Sequence, residues 1–397
     1  VYSRAPRDIS DLWKHGHIRD YPIFWKASGK EELKTRAKVT VGDIRVFNPS
    51  DAGLSYYMRK LFTDQNKRMH YHGARTLQRN YYMIGFTKQH RGYDDLVQKL
   101  KTSFPTPLTG LREGDVKKWD KDCREFLFEK VKRWRFKMFL PSLQTDELWQ
   151  RISWVYKQVV HSYMVAPGGR VLQKHASNPS GSDNTGDDND LMHDWVMAYS
   201  FFDAVDTEDF MDYAKNVQPC LYGDDHIVGT TNYVEKVWTL KTMEKSYRDC
   251  GFTLKAESSF ETTLEQVENK IIDDIFLDHT FLGSRIGKFC THGHEYYIGI
   301  PEGQKALGAI CHSPREEKGE LGLNQIYTRV CSLEVEYFFS NKREALRSLA
   351  NFLEEQGARF RPEEVVDAEF WFSVPMARRF TYNEIISLYL DLEQHCL

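Results

Sequence analysis

Apolar residues recur at three- and four-residue intervals over residues 121–140, where Cys123, Leu127, Val131, Trp134 and Met138 stand among charged neighbours. That spacing predicts an amphipathic helix with this face in the core, closed by Pro141. A second such helix is predicted over 145–164, with Leu148, Ile152, Val155, Val159 and Tyr163 on one side and the Pro167-Gly168-Gly169 turn after it. Residues 171–173 read as a short strand and the polar run 175–184 as a loop before a helix reaching about residue 202. Cys220 and Leu221 precede, and Ile227 and Val228 follow, the tetrapeptide Tyr222-Gly223-Asp224-Asp225. Short apolar runs around a Gly-Asp pair predict a hairpin with a two-residue turn. A further helix is expected over about 231–248, ahead of Gly251. After Phe281 comes a short strand-rich patch, then helices over 324–339, 341–356 and 381–392 with breaks at Gln356-Gly357 and Pro375, which together read as a helical terminal subdomain. No solenoid-period repeat or low-complexity tract interrupts this order.

A chain of 397 residues with this mixture is long enough for a sizeable core divided into two or three subdomains. The longest nearly apolar run, 195–202, is interrupted by Ser200 and falls far short of the about 20 residues a membrane span needs. No direct membrane span is therefore expected. The start, Val1-Tyr2-Ser3-Arg4-Ala5-Pro6, carries neither an initiator Met nor an apolar run, so the expectation is a processed end and no secretory signal. Seven scattered cysteines, odd in number and without a CxxC pair, argue against a disulfide framework or structural zinc and for a reducing, intracellular setting.

The formal net charge of −3 conceals a separation along the chain. Residues 26–79 hold twelve Lys/Arg against five Asp/Glu, and residues 180–225 hold twelve Asp/Glu against the single base Lys215. Two solvated faces account for this, as does a positive tunnel facing a metal-binding floor. Asp224-Asp225 by itself fits a solvated turn as well as a metal site. A second acidic cluster, Asp115-x4-Asp120, follows Gly114, and Val116 to Trp119 are expected to end a strand. Between the two lies Ser180-Gly181-x3-Thr185-x3-Asn189, in which Thr185 and Asn189 share a helical face.

This ordered set resembles palm motifs A, B and C of the RNA-dependent RNA polymerases of positive-strand RNA viruses, especially picornavirus-like and astrovirus-like ones. Upstream, Lys30-Glu31-Glu32-Leu33-Lys34, Lys38 and Ile44-Arg45-Val46 resemble the basic motif F; downstream, Gly251-Phe252-Thr253-Leu254-Lys255 occupies the place of motif D and Phe281-Leu282-Gly283-Ser284-Arg285 that of motif E. Lys121-Asp122-Cys123 departs from the usual motif A continuation, leaving Asp122 without a role, and motif G has no counterpart. The motif resemblance runs from about residue 26 to 285; the remainder matches in helical character and position.

The resemblance implies an α+β right-hand polymerase with an antiparallel-sheet palm and a helical thumb: fingers over 1–107 and 150–179, palm over 108–149 and 180–289, thumb over 290–397. It implies template-directed RNA synthesis from NTPs with Asp115, Asp224 and Asp225 holding two Mg2+ ions, Mn2+ substituting, and Lys255 as a general acid toward leaving pyrophosphate. Lys30, Lys34, Lys38 and Arg45 would steer the triphosphate, Asp120 and Asn189 would read the ribose 2'-hydroxyl with Ser180 and Thr185 arranging that network, and Arg285 would meet a primer phosphate. Implied partners are an RNA template, a primer or nascent strand and other viral replication proteins; the implied location is the host-cell cytoplasm, in replication complexes membrane-associated through partners. A surface lysine remains the plain alternative at 255. A reverse transcriptase typically carries an aromatic residue where Asp120 stands, and a catalytically silent scaffold would not need the carboxylate set.

Overall fold

The computed structural model describes residues 9–14, 23–30, 34, 36–42, 45–72, 80–267, 271–303, 305–308, 310, 319–360 and 379–392. The chain divides into two compact units: 1–30, 44–86 and 95–279 form the first, and 31–43, 87–94 and 280–397 the second.

At the centre of the first unit is a four-stranded antiparallel sheet in the order β7 (Val217–Tyr222), β8 (Asp225–Thr231), β4 (Leu108–Asp115), β9 (Phe260–Thr263). Helices α8 (Thr185–Val205) and α11 (Leu240–Asp249) contribute Val196, Met197, Phe201, Met243 and Tyr247 to a core that also takes Val217, Leu221 and Val228 from the sheet. Across the sheet, buried Arg112 donates to Thr230 Oγ1 at 2.7 Å and to the Glu235 carbonyl at 2.8 Å, and its Nε ion-pairs with Glu261 Oε2 at 3.3 Å, so the charge in the middle of β4 is paired. Helix α10 (Asn232–Glu235) links β8 to α11, and α9 (Phe210–Asn216) leads into β7.

Around this sheet stand α1 (Ile9–Lys14), α3 (Ala52–His72), α5 (Trp119–Asp122), α6 (Glu125–Lys137), α7 (Asp146–Val160) and most of α4 (Gly92–Thr102). A small sheet pairs β1 (Phe24–Lys26) parallel to β5 (Tyr163–Val165), which runs antiparallel to β6 (Val171–Gln173). Strands β2 (Ser28–Gly29) and β3 (Val46–Phe47) form a further antiparallel pair.

Four expectations are corrected. The helix expected over 121–140 is two helices, because the carbonyls of Asp120 and Cys123 accept from Asn178 N and Ser177 N at 2.7 and 2.9 Å and Cys123 turns extended. The helix expected to 164 stops at Val160; Tyr163 lies in β5 opposite Phe24 and Gln173. The helix expected over 231–248 breaks at Thr239, whose extended backbone caps α11 in a capping box with Thr242, while Trp238 anchors in the core by donating to Ser200 Oγ at 2.9 Å. Finally, the strand carrying Asp115 ends there, since Lys118 adopts a left-handed φ of 54° and α5 begins at Trp119.

The second unit holds a three-stranded antiparallel sheet of β10 (Thr280–Phe281), β11 (Ser284–Thr291) and β12 (His294–Pro301), with helices α2 (Arg36–Thr40), α12 (Lys305–Gly308), α13 (Gly319–Glu336), α14 (Arg343–Glu355) and α15 (Tyr382–Leu390). Positive φ at both Leu282 and Gly283 makes the first hairpin turn, the pattern of a type I′ connection. The expected strand-rich patch and the three late helices are present, and α14 gives way at Gly357, where φ is 90°. Pro375 lies outside the described residues. No described helix is long and apolar enough to cross a membrane.

Candidate active site

Strand β4 ends at Asp115 and β8 begins at Asp225, and these two residues are register partners. Tyr222 pairs with Asp225 across the β7–β8 hairpin, leaving Gly223 and Asp224 as its two-residue turn. Gly223 has a φ of 67° and Asp224 keeps a negative φ, the pattern of a II′ turn, in which glycine serves the first central position. Three carboxylate residues thus gather at one end of the sheet from two neighbouring strands.

The third side is built by the segment after Gly251. Lys117 N donates to the Thr253 carbonyl at 2.8 Å and Lys255 N to the Asp115 carbonyl at 3.0 Å, so this segment runs beside the end of β4. The Lys255 ammonium consequently ion-pairs with Asp115 Oδ2. Both side chains stay partly open to solvent, at 30% and 38%, so an incoming ligand can reach them.

Asp224 meets solvent, yet the protein around it suffices to desolvate its carboxyl. That desolvation raises its pKa; a backbone hydrogen bond lowers it, Asp115 and Asp120 raise it again, and Lys255 opposes them. The carboxylates therefore feel one another, and a cation relieves their repulsion. Among the described residues no three His, Cys, Asp or Glu side chains are drawn together into a ready ligand cluster. The donor set is nevertheless all carboxylate oxygen, which suits Mg2+ or Mn2+, and the Lys255 ammonium already occupies the position of a counter-charge.

Helix α8 supplies the adjoining wall. Asn189 Nδ2 donates to Asp120 Oδ1 at 2.9 Å, and Asn178 Nδ2 donates to Asn189 Oδ1 at 2.8 Å, fixing the orientation of the Asn189 amide. Thr185 Oγ1 is turned away, donating to the carbonyls of Pro179 and Ser182 at 2.6 and 2.9 Å, so it holds the loop that precedes the helix. Ser180 Oγ donates to the Val46 carbonyl at 3.3 Å. Gly181 bridges to Pro49 so tightly that a Cβ there would lie 2.2 Å from the Asn48 carbonyl oxygen. This contact joins the Ser180-Gly181 loop to the segment just after β3, which Arg45 precedes, and Lys30 N in turn donates to the Arg45 carbonyl at 2.8 Å, with both basic side chains exposed.

Asp115, Asp120, Asn189, Asp224, Asp225 and Lys255 are thus brought together, with Ser180, Thr185, Lys30 and Arg45 linked to them through the loop. Lys34, half-buried, and Lys38, exposed on α2, belong to the second unit, as does Arg285, which pairs with Glu302 at 3.0 Å.

Three residues without a role in the motif reading also shape the site. Asn178 orients Asn189. Gly223 N donates to buried Asp190 Oδ1 at 2.6 Å, and His193 Nδ1 donates to the Gly223 carbonyl at 2.9 Å. Burial keeps the His193 imidazole neutral, pushing its pKa down to about 4. The available signal was in the helix itself: Asp190 and His193 are polar residues three apart in a stretch flanked by Leu191, Met192, Val196 and Met197, all buried.

A hairpin that presents carboxylates next to a third on the adjoining strand of an antiparallel sheet, with helices packed behind, defines the palm of a right-hand polymerase. The same architecture is found in the solved Sicinivirus 3Dpol RNA-dependent RNA polymerase, with a TM-score of 0.63 at 16% identity over 92% of this chain and 70% of that one. The model of the viral RNA-dependent RNA polymerase family matches residues 6–288, and the chain belongs to that family, among the enzymes of positive-strand RNA viruses. It is similar to the non-structural polyprotein 1AB of Ovine astrovirus 1, 26% identical over 305 residues, covering 74% of this chain and 20% of the relative. Genome polyprotein 1 of Barley mild mosaic virus is 28% identical over 204 residues, covering 51% of this chain and 8% of that polyprotein. The chain spans a fifth or less of the length of these curated relatives.

Proposed function

We propose that this chain synthesises RNA from NTPs on an RNA template and acts as the polymerase unit in replication and transcription of a positive-strand RNA virus. The observation that carries this reading is the register pair Asp115↔Asp225 with Asp224 at the adjoining turn. Residues 1–107 and 150–179 are assigned to the fingers, 108–149 and 180–289 to the palm and 290–397 to the thumb.

Asp115, Asp224 and Asp225 would hold two Mg2+ ions, with Mn2+ able to substitute. Metal bound there would supply activation of a primer 3'-hydroxyl and charge neutralisation of the triphosphate and leaving pyrophosphate. Lys255 holds its proton at Asp115, where an ammonium can serve as the acid toward pyrophosphate. With one Asn189 N–H committed to Asp120 Oδ1, the second N–H and Asp120 Oδ2 remain to meet a ribose 2'-hydroxyl as donor and acceptor. Ser180 and Thr185 keep the loop before α8 in register, Lys30, Lys34, Lys38 and Arg45 attract the triphosphate, and Arg285 meets a primer phosphate. The RNA strands and NTPs are the direct partners. Other viral replication proteins bring the enzyme to membrane-associated complexes in the host cytoplasm.

RNA-primed extension on an RNA template, with NTPs compared against dNTPs, tests this. Wild type is expected to incorporate NTPs and to reject dNTPs, and Asn189→Ala or Asp120→Ala to erode that discrimination by about tenfold to a hundredfold. No incorporation with either Mg2+ or Mn2+ would rule out the enzyme, and preferential use of dNTPs would point to a reverse transcriptase.

A further inference from the structure

We propose that Asp190 and His193 are positioning residues that hold both backbone polar groups of Gly223 and thereby fix Asp224 relative to Asp115. The role assigned to Asp224 rests on the polymerase reading above; the grip itself is a matter of geometry.

In a two-residue hairpin turn the first central residue has no ladder partner for its N–H or C=O, and both ordinarily face water. At Gly223 both face α8. The N–H donates to Asp190 Oδ1 at 2.6 Å, and the carbonyl accepts from His193 Nδ1 at 2.9 Å. A carbonyl can only accept, so the His193 proton resides on Nδ1 and Nε2 is left as an acceptor. Tyr247 on α11 fills that role, its hydroxyl donating to Nε2 at 2.9 Å. Trp119 lies 4.6 Å from the His193 ring and itself stacks on Phe252 at 4.3 Å, and His226 meets the His193 ring edge-on at 4.8 Å. The imidazole therefore has one orientation and one tautomer available, and both Asp190 and His193 are fully buried.

Asp190 uses a single oxygen. Its Oδ2 is buried and has no hydrogen-bond partner, so what the turn requires of this residue is one acceptor rather than a negative charge. Asn189, the residue before it, faces Asp120 instead. One turn of α8 thus carries the sugar contact and the turn grip in consecutive residues, and the two duties are separable by substitution.

The test pairs variants that keep the required atom with variants that remove it. Asp190→Asn keeps the acceptor and Asp190→Leu removes it; His193→Asn keeps a donor near the Nδ1 position, and His193→Gln, still polar, moves it away. Two readouts are followed: hydrogen exchange of the Gly223 amide, by mass spectrometry of the 217–231 hairpin, and single-nucleotide incorporation across an Mg2+ titration. Asp190→Leu and His193→Gln are expected to speed Gly223 exchange about tenfold or more and to lower kcat about tenfold to a hundredfold, as sub-ångström to ångström misplacement of a reacting group does. They should also raise the Mg2+ requirement while leaving the NTP/dNTP ratio within about twofold. Both Asn variants should stay near wild type. An Asp190→Asn protein as impaired as Asp190→Leu, or unchanged exchange and kcat in Asp190→Leu and His193→Gln, would overturn the proposal. Should wild type itself incorporate nothing, the exchange readout still decides the grip, so failure of the polymerase reading is distinguishable from failure of this one.

Discussion

The acidic stretch 180–225 and the basic stretch 26–79 carry imbalances of opposite sign, and the fold uses them in opposite ways. The four acids in and just before the first two turns of α8 are struts, while Asp203, Asp206, Glu208 and Asp209 stay exposed. Asp183 accepts from Arg59 Nε at 2.7 Å and pairs with Ser55, Asp187 meets His70 at 2.8 Å, Asp188 accepts from Arg135 Nε at 2.8 Å and from Tyr156, and Asp190 takes the Gly223 amide. Only Asp224 and Asp225, at the far end of the stretch, join Asp115 at the mouth of the sheet. By contrast Lys30, Arg36, Lys38, Arg45, Lys67 and Arg68 are all exposed. A run of one sign is therefore not a surface of one sign: acids along α8 hold the frame that aims two of their number, whereas the bases remain at the surface, where a polyanion is attracted.

Two arginines sharpen this contrast. Arg135 is wholly buried against Asp188, which is itself 2% exposed. Arg135→Ala leaves a buried carboxylate without its partner and is expected to destabilise the first unit by about 3–5 kcal/mol, read by denaturant melts. Arg45→Ala removes an exposed charge instead; it should leave the melt unchanged and raise the KM for NTPs several-fold, about 1 kcal/mol. Equal effects of the two on stability would erase the distinction between strut and surface.

A smaller effect separates Asp194 from its paired neighbours on α8. It faces Tyr213 and Tyr82 through hydroxyls at 3.5 Å. Burial pushes its pKa up to about 7, against the two tyrosine hydrogen bonds. A folded-state pKa above the unfolded value of about 3.9 means that the protein binds the extra proton when folded, so this contribution is full below about pH 4 and is lost as pH rises through 7. Asp194→Asn should flatten that slope and stabilise the protein at pH 8 by about 1–2 kcal/mol, allowing for the residue's remaining contact with solvent. A wild-type slope retained in the variant would contradict this.

The elements written in strong periodicity were legible in the sequence: α6, α7, α8, the β7–β8 hairpin, the helices after residue 319. Their ends were not, because partners distant in sequence decide them. Asn178 takes the Asp120 carbonyl and splits one predicted helix; the β1 strand takes residues 163–165 out of another. At the site, the order of acidic and polar motifs pointed to Asp115, Asp120, Asn189, Asp224 and Asp225, which the sheet register and α8 gather, and the motif D resemblance pointed to Lys255, which the segment after Gly251 brings to Asp115. What spacing could not reveal was the inward use of the acids at the start of α8. Asp190 and Asp188 are indistinguishable from ligand candidates in a sequence, and only the facing Gly223 amide and Arg135 guanidinium disclose their work.

The central claim is that the carboxylates at the sheet end, and not the larger acidic population of α8, hold divalent metal. Mn2+ binding followed by electron paramagnetic resonance tests it directly, comparing wild type, Asp224→Asn and Asp203→Asn, the last a carboxylate of α8 that accepts from Ser246 at 2.9 Å. Asp224→Asn is expected to weaken Mn2+ binding at least about tenfold with Asp203→Asn matching wild type; wild-type affinity in Asp224→Asn would contradict the account.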